Sequence, residues 1–255
     1  MEPRTESRAV MTVEPPTATL SATRAWLAPV RGALGAEFLA AYLYGSVLTQ
    51  TYDPRHSHVN MLIVARSLNL DVLDALRAAL PEDRKPPHVA PLFLTQRQIE
   101  KSLDVFPIEW IDIKERHLLL EGLDVLGPYE VPRSNLRLQI EQELREKLIT
   151  LRQAYLASAR RPDTLEGVLK AAASSFATLC RSLLRLRGEA PPAHTAQVIE
   201  RIADLFGLDA QGLLAAHMVR HGERHHKGVE LQGHYRRFLV EIERLVNAID
   251  EMRVP

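Results

Sequence analysis

The chain has 255 residues, with 32 Lys and Arg against 32 Asp and Glu, and one cysteine, Cys180. Zero formal net charge excludes a global field that would draw the chain to nucleic acid or an anionic membrane, and a lone cysteine excludes both an internal disulfide and a Cys-based zinc site. No run approaches the roughly 18 consecutive apolar residues that a spanning helix needs.

Residues 1–22 are rich in Pro, Glu and Thr and lack the apolar core of a secretory signal, so they read as a flexible leader to a cytoplasmic protein. Ala25, Trp26, Leu27, Val30, Leu34, Phe38 and Leu39 then recur at three- and four-residue spacing, the stripe of an amphipathic helix. Four short apolar runs follow as expected strands: residues 40–44, 59–65, 88–94 and 108–113, with a helix over 71–80 between the second and third. Pro91 marks the third run as an edge strand or a bulge, because proline cannot donate to a ladder. Strands alternating with helices over so short a span predict a compact α/β domain across residues 23–130.

Pro and Gly concentrate in Gly127-Pro128-Tyr129-Glu130-Val131-Pro132, where the domain boundary is expected. Residues 131–255 then change character. Leu136, Ile140, Leu144, Leu148, Leu151 and Tyr155 predict one long helix, and further helices are expected over 168–186, 195–206, 213–219 and 231–252. This half reads as an all-α bundle, and its amphipathic stripes suit either an internal core, a protein partner or a homodimer. Cys180 lies in the apolar run Ala177-Thr178-Leu179-Cys180 and reads as small core filler.

The segment with most chemical content is Leu43-Tyr44-Gly45-Ser46-Val47, followed by Ser57-His58-Val59-Asn60-Met61-Leu62-Ile63-Val64. A strand ending in Gly-Ser and feeding a helical turn lets backbone approach a phosphate, since Gly has no side chain and helix starts present N–H groups. His58 and Asn60, two apart on a strand, project from one face.

This arrangement resembles the nucleotidyltransferase superfamily, including the aminoglycoside-modifying and minimal nucleotidyltransferases. In those proteins Gly-Ser is followed at about this separation by Asp-x-Asp running into an apolar strand. The resemblance implies a mixed-sheet nucleotidyltransferase-like domain, nucleotide binding at Gly45 and Ser46, and metal-ligand positions at His58 and Asn60. A third acidic residue from a later strand would supply catalysis, and Glu109 matches it, with Asp112 expected on the opposite strand face. It also implies a nucleoside triphosphate as ligand and a divalent ion, Mg²⁺, Mn²⁺ or Zn²⁺, as cofactor. Here His and Asn stand where the family has two carboxylates, which removes two negative charges from a site for a hard, oxygen-seeking ion. The expectation is a catalytically degenerate protein acting in nucleotide binding or as a regulatory module, the rival being an active transferase with softer metal ligation. Asp53 and His56, in the preceding loop, read as turn residues.

In the second half, His217, His221 and His225 share a spacing of four, compatible with a metal on one helix face. The same segment resembles the Arg-x4-His signature of the helical HEPN ribonucleases, with Arg220 and His225 in the roles of phosphate stabiliser and acid or base. The charge density and Gly222 there favour a fraying helix end.

Overall fold

The computed structural model describes residues 13–50, 52–54, 57–82, 86–159, 164–221 and 229–252. It divides into two compact units between Val131 and Pro132.

In the first unit, α1 (Thr17–Leu34) precedes β1 (Phe38–Tyr44), a 3-10 turn over Gly45–Leu48, β2 (Val59–Ala65), α2 (Leu70–Ala79), β3 (Val89–Thr95), α3 (Gln96–Glu100), α4 (Pro107–Glu115) and β4 (His117–Gly122). The strands form one mixed sheet in the order β3-β2-β1-β4. β1 runs antiparallel to both β2 and β4, and β2 runs parallel to β3. Pro91 sits in β3, which lies at the edge of the sheet, so its missing N–H breaks no ladder.

Strand periodicity divides the core into two layers. Ala41, Leu43, Val59, Met61, Ile63 and Ala65 face α1 and α2, meeting Leu27, Val30, Leu34 and Leu76. Ala40, Tyr42, Leu62 and Val64 face the other way, onto Ile99 of α3 and Trp110 and Ile113 of α4. The Trp110 indole N–H donates to Ser102 Oγ at 2.9 Å, which satisfies the one polar atom of that buried ring.

Two expectations are corrected here. Residues 108–113 are helical, within α4, and the fourth strand is β4. Pro107 opens α4, where its missing N–H costs no helical bond, while Glu109 in the first turn and Lys114 in the last complement the helix dipole. These end signals outweigh the strand-like run of Ile and Trp. The second correction concerns residues 17–22, read as leader, which form the start of α1; Thr19 and Thr23 are buried, and the Thr23 hydroxyl donates to the Thr19 carbonyl at 2.9 Å.

The second unit is helical: α5 (Arg133–Ala157), α6 (Thr164–Leu186), α7 (Thr195–Phe206), α8 (Ala210–His221) and α9 (Val229–Asp250). Leu136, Ile140, Leu144, Leu148 and Leu151 line the buried stripe of α5. Phe176 of α6 meets Phe238 of α9 edge to face, with ring centres 5.4 Å apart. The buried Tyr235 hydroxyl donates to the Leu151 carbonyl at 2.7 Å, tying α9 to α5. Cys180 is fully buried, and that burial pushes its thiol pKa up, away from thiolate chemistry. Among the described residues no helix is long and apolar enough to cross a membrane.

Candidate functional site

The end of β1 makes the site's frame. Tyr44 pairs with Asn60 of β2 on one side and with His117 of β4 on the other. Gly45 then leaves the strand at φ +81°, a left-handed conformation that side-chain-bearing residues rarely adopt, and opens the 3-10 turn Gly45–Leu48. The Ser46 carbonyl is engaged inside the turn, accepting from Thr49 N–H at 3.0 Å and from Thr49 Oγ1 at 2.8 Å. Val47 and Leu48 are buried beneath, anchoring the turn in the core. The first N–H groups of such a turn find no carbonyl within it, which is the physical basis of an anion-binding cradle.

Asn60 closes against this turn. A β-carbon at Gly45 would lie 3.0 Å from Asn60 Nδ2, so the amide occupies the space that any larger residue at 45 would claim. Sequence spacing alone put Gly45 and Asn60 in one motif; the sheet register brings them into contact.

His58 lies two residues before Asn60, immediately ahead of β2. The parallel ladder sets β3 beside it: Asn60 pairs with Ala90, and Val59 N–H donates to the His88 carbonyl at 2.7 Å. The His58 and His88 rings consequently stand 5.9 Å apart, tilted by 48°. His88 and Ala90 escape sequence reasoning because their place depends on strand register across a gap that includes α2.

Glu109 is exposed in the first turn of α4, next to Trp110, which packs on the sheet face shared by Leu62 and Val64. Glu109 is thus carried on a helix and not on the later strand expected of it, while β3, parallel to β2, sets Ala90 opposite Asn60. Asp112 shares the same helix rather than the opposite face of a strand. Asp53 lies in the loop, where its carbonyl accepts from Ser57 N–H at 2.8 Å and its own N–H donates to Ser57 Oγ at 3.3 Å, consistent with a turn residue. His56 lies outside the described residues.

Below the strand end, Tyr44 is half-buried, and burial raises its hydroxyl pKa. His117 was not singled out by sequence. Its Nδ1 lies 3.1 Å from the carbonyls of both Ile113 and Lys114, so in the neutral ring the proton sits on Nδ1, and the ring meets Tyr42 edge-on at 5.5 Å. The carbonyl contacts tie the start of β4 to the end of α4, and the ring contact sets it against β1.

In the helical unit, α8 ends at His221, and His225 lies outside the described residues, as does the rest of the Arg-x4-His signature beyond that helix.

The first unit's mixed sheet and the helical unit after it together define a nucleotidyltransferase-like fold, an α/β domain followed by a helical domain. Among solved structures, the chain is similar to spectinomycin adenyltransferase AAD(9) from Enterococcus faecialis, crystallised with ATP and spectinomycin. The TM-score is 0.53 at 13% identity, and the match covers 92% of this chain and 99% of that one. At that identity the likeness is one of fold. No family model matches the sequence, and no curated protein matches it.

Proposed function

We propose that this chain binds the phosphates of a nucleotide at the Gly45–Ser46 turn and does not carry out Mg²⁺-dependent nucleotidyl transfer, its role being binding or regulation. The single observation that carries the reading is the local register: Gly45 at φ +81° against Asn60, with Ala90 and no carboxylate opposite Asn60 on β3. The phosphate half of the proposal is supported by the turn's N–H groups and by the similarity in fold to a protein solved with ATP.

The second half follows from donor chemistry. Mg²⁺ demands oxygen ligands in near-octahedral geometry and is usually held by one or two carboxylates. The start of β2 and its neighbour β3 offer the Asn60 amide, with Nδ2 turned toward Gly45, and the methyl group of Ala90, with the His58 imidazole just ahead of β2. These residues do not fit Mg²⁺, and no transfer step is derived through it.

The test is calorimetric titration of the full chain with ATP, GTP, CTP and UTP, with and without Mg²⁺, beside an assay for pyrophosphate release. The expected result is binding of at least one nucleotide, with an affinity that changes less than about threefold when Mg²⁺ is added, under 1 kcal/mol, and no pyrophosphate. Failure of all four nucleotides to bind would remove the phosphate reading. Pyrophosphate release with Mg²⁺, Mn²⁺ or Zn²⁺ would establish an active transferase with altered ligands.

A further inference from the structure

We propose that His58 and His88 form a two-histidine site for a borderline-soft divalent cation such as Zn²⁺ or Ni²⁺, bridging β2 and β3 beside the Gly45 turn. Each histidine immediately precedes a strand of the sheet, His58 before β2 and His88 before β3. Val59 N–H donates to the His88 carbonyl at 2.7 Å, and the ladder continues through Val59 with Val89 and Asn60 with Ala90, so the two backbones are locked in register where the histidines emerge. The two rings stand 5.9 Å apart, centre to centre, tilted by 48°.

That spacing suits chelation. With metal–nitrogen bonds of about 2.0–2.1 Å and a tetrahedral angle, two imidazoles sharing one ion have ring centres roughly 5.2 Å apart. Closing from 5.9 Å takes less than about 1 Å, within the reach of small side-chain rotations. His58 is exposed and His88 half-buried, so an ion can enter from solvent with its waters. Among the described residues no third His, Cys, Asp or Glu completes the cluster, so a bound ion would keep water in its remaining coordination positions. Imidazole selects Zn²⁺, Ni²⁺ and Cu²⁺ over Mg²⁺, so the same substitution that makes the face unsuited to the hard ion makes it suited to a softer one. The site needs no nucleotide, and its test leaves the phosphate reading untouched.

The readout must be local, because the chain has 10 histidines. Diethylpyrocarbonate modification of the full-length protein, mapped by tandem mass spectrometry so that His58 is resolved from His56, measures the two rings separately without nucleotide. Zn²⁺ and Ni²⁺ should each slow modification of both His58 and His88 at least about tenfold, whereas Mg²⁺ at the same concentration should not. In His88→Gln the protection of His58 should vanish, and in His58→Gln that of His88 should vanish. Protection of His58 that survives His88→Gln, or no protection by either ion in the natural protein, overturns the proposal. Unchanged thermal unfolding of both variants guards the comparison.

Discussion

Replacing Gly45 with alanine separates backbone strain from side-chain crowding at the centre of the site. At φ +81° an alanine pays the left-handed penalty of roughly 1–2 kcal/mol. Its methyl group would also meet Asn60 Nδ2 at 3.0 Å, the free end of a side chain that can yield by a few tenths of an ångström at small cost. Restricting the unfolded chain returns about 0.4–1 kcal/mol, so the net loss should be about 1 kcal/mol. Gly122→Ala provides the scale. It combines φ +95° with a methyl group 2.1 Å from the Leu39 carbonyl oxygen, which is backbone and cannot yield, so the end of β4 must detach from β1. That variant should lose several times as much, on the order of 4 kcal/mol. The two tryptophans, Trp26 in α1 and Trp110 in α4, both lie in the first unit, so their fluorescence during urea unfolding reports that unit alone. Adding Asn60→Ala to Gly45→Ala should restore only a minor part of the loss. Full restoration, or a Gly45→Ala protein as stable as the natural one, would refute the assignment of the turn's cost to its backbone conformation.

Other outcomes follow from buried polar contacts. The Tyr42 hydroxyl accepts from Val125 N–H at 2.7 Å and lies 3.1 Å from Asp124 Oδ1; Tyr42→Phe removes that acceptor and should cost about 1–2 kcal/mol by tryptophan-monitored urea unfolding. Burial, with the neighbouring Asp124 carboxylate adding to it, pushes the Tyr42 pKa up to about 12, and burial does the same for Tyr235. Their unfolded forms ionise near pH 10, so above that pH the unfolded state holds fewer protons; stability present below pH 10 should fall as pH rises toward 12, and Tyr42→Phe should shallow that slope for the first unit. In the helical unit, Tyr235→Phe withdraws the donor from the Leu151 carbonyl and should cost about 1 kcal/mol, read by circular dichroism. Glu109→Gln, on an exposed helical turn, should leave nucleotide affinity within about twofold by calorimetry; a larger fall would return Glu109 to the site.

Much of the α/β sheet is legible because β1, β2 and β3 are continuous apolar runs bounded by turn residues, and of the two readings of Pro91, edge or bulge, the sheet order gives the edge. The error at residues 108–113 has a specific cause. Ile108, Trp110, Ile111 and Ile113 favour a strand by residue type, but Pro107 at the first helical position and the need to cover Tyr42, Leu62 and Val64 make that segment a helix. β4 gives little sequence signal because Leu118, Leu119 and Leu120 form a short run between His117 and Glu121, and its strand character comes from pairing with β1. At the site, the i, i+2 spacing of His58 and Asn60 and the Gly-Ser turn could be read directly. Their neighbours His88 and Ala90 could not, because a parallel register is set by packing between distant segments and leaves no local signal.

The central claim is that the nucleotidyltransferase-like frame holds nucleotide phosphates at Gly45 and Ser46 without Mg²⁺. It is tested most directly by titrating ATP into the natural protein and into His58→Asp/Asn60→Asp, each with and without the ion. The account predicts Mg²⁺-independent binding by the natural protein and, once two carboxylates face the phosphates, binding by the variant only when Mg²⁺ is present. A natural protein that binds ATP only with Mg²⁺ would contradict it.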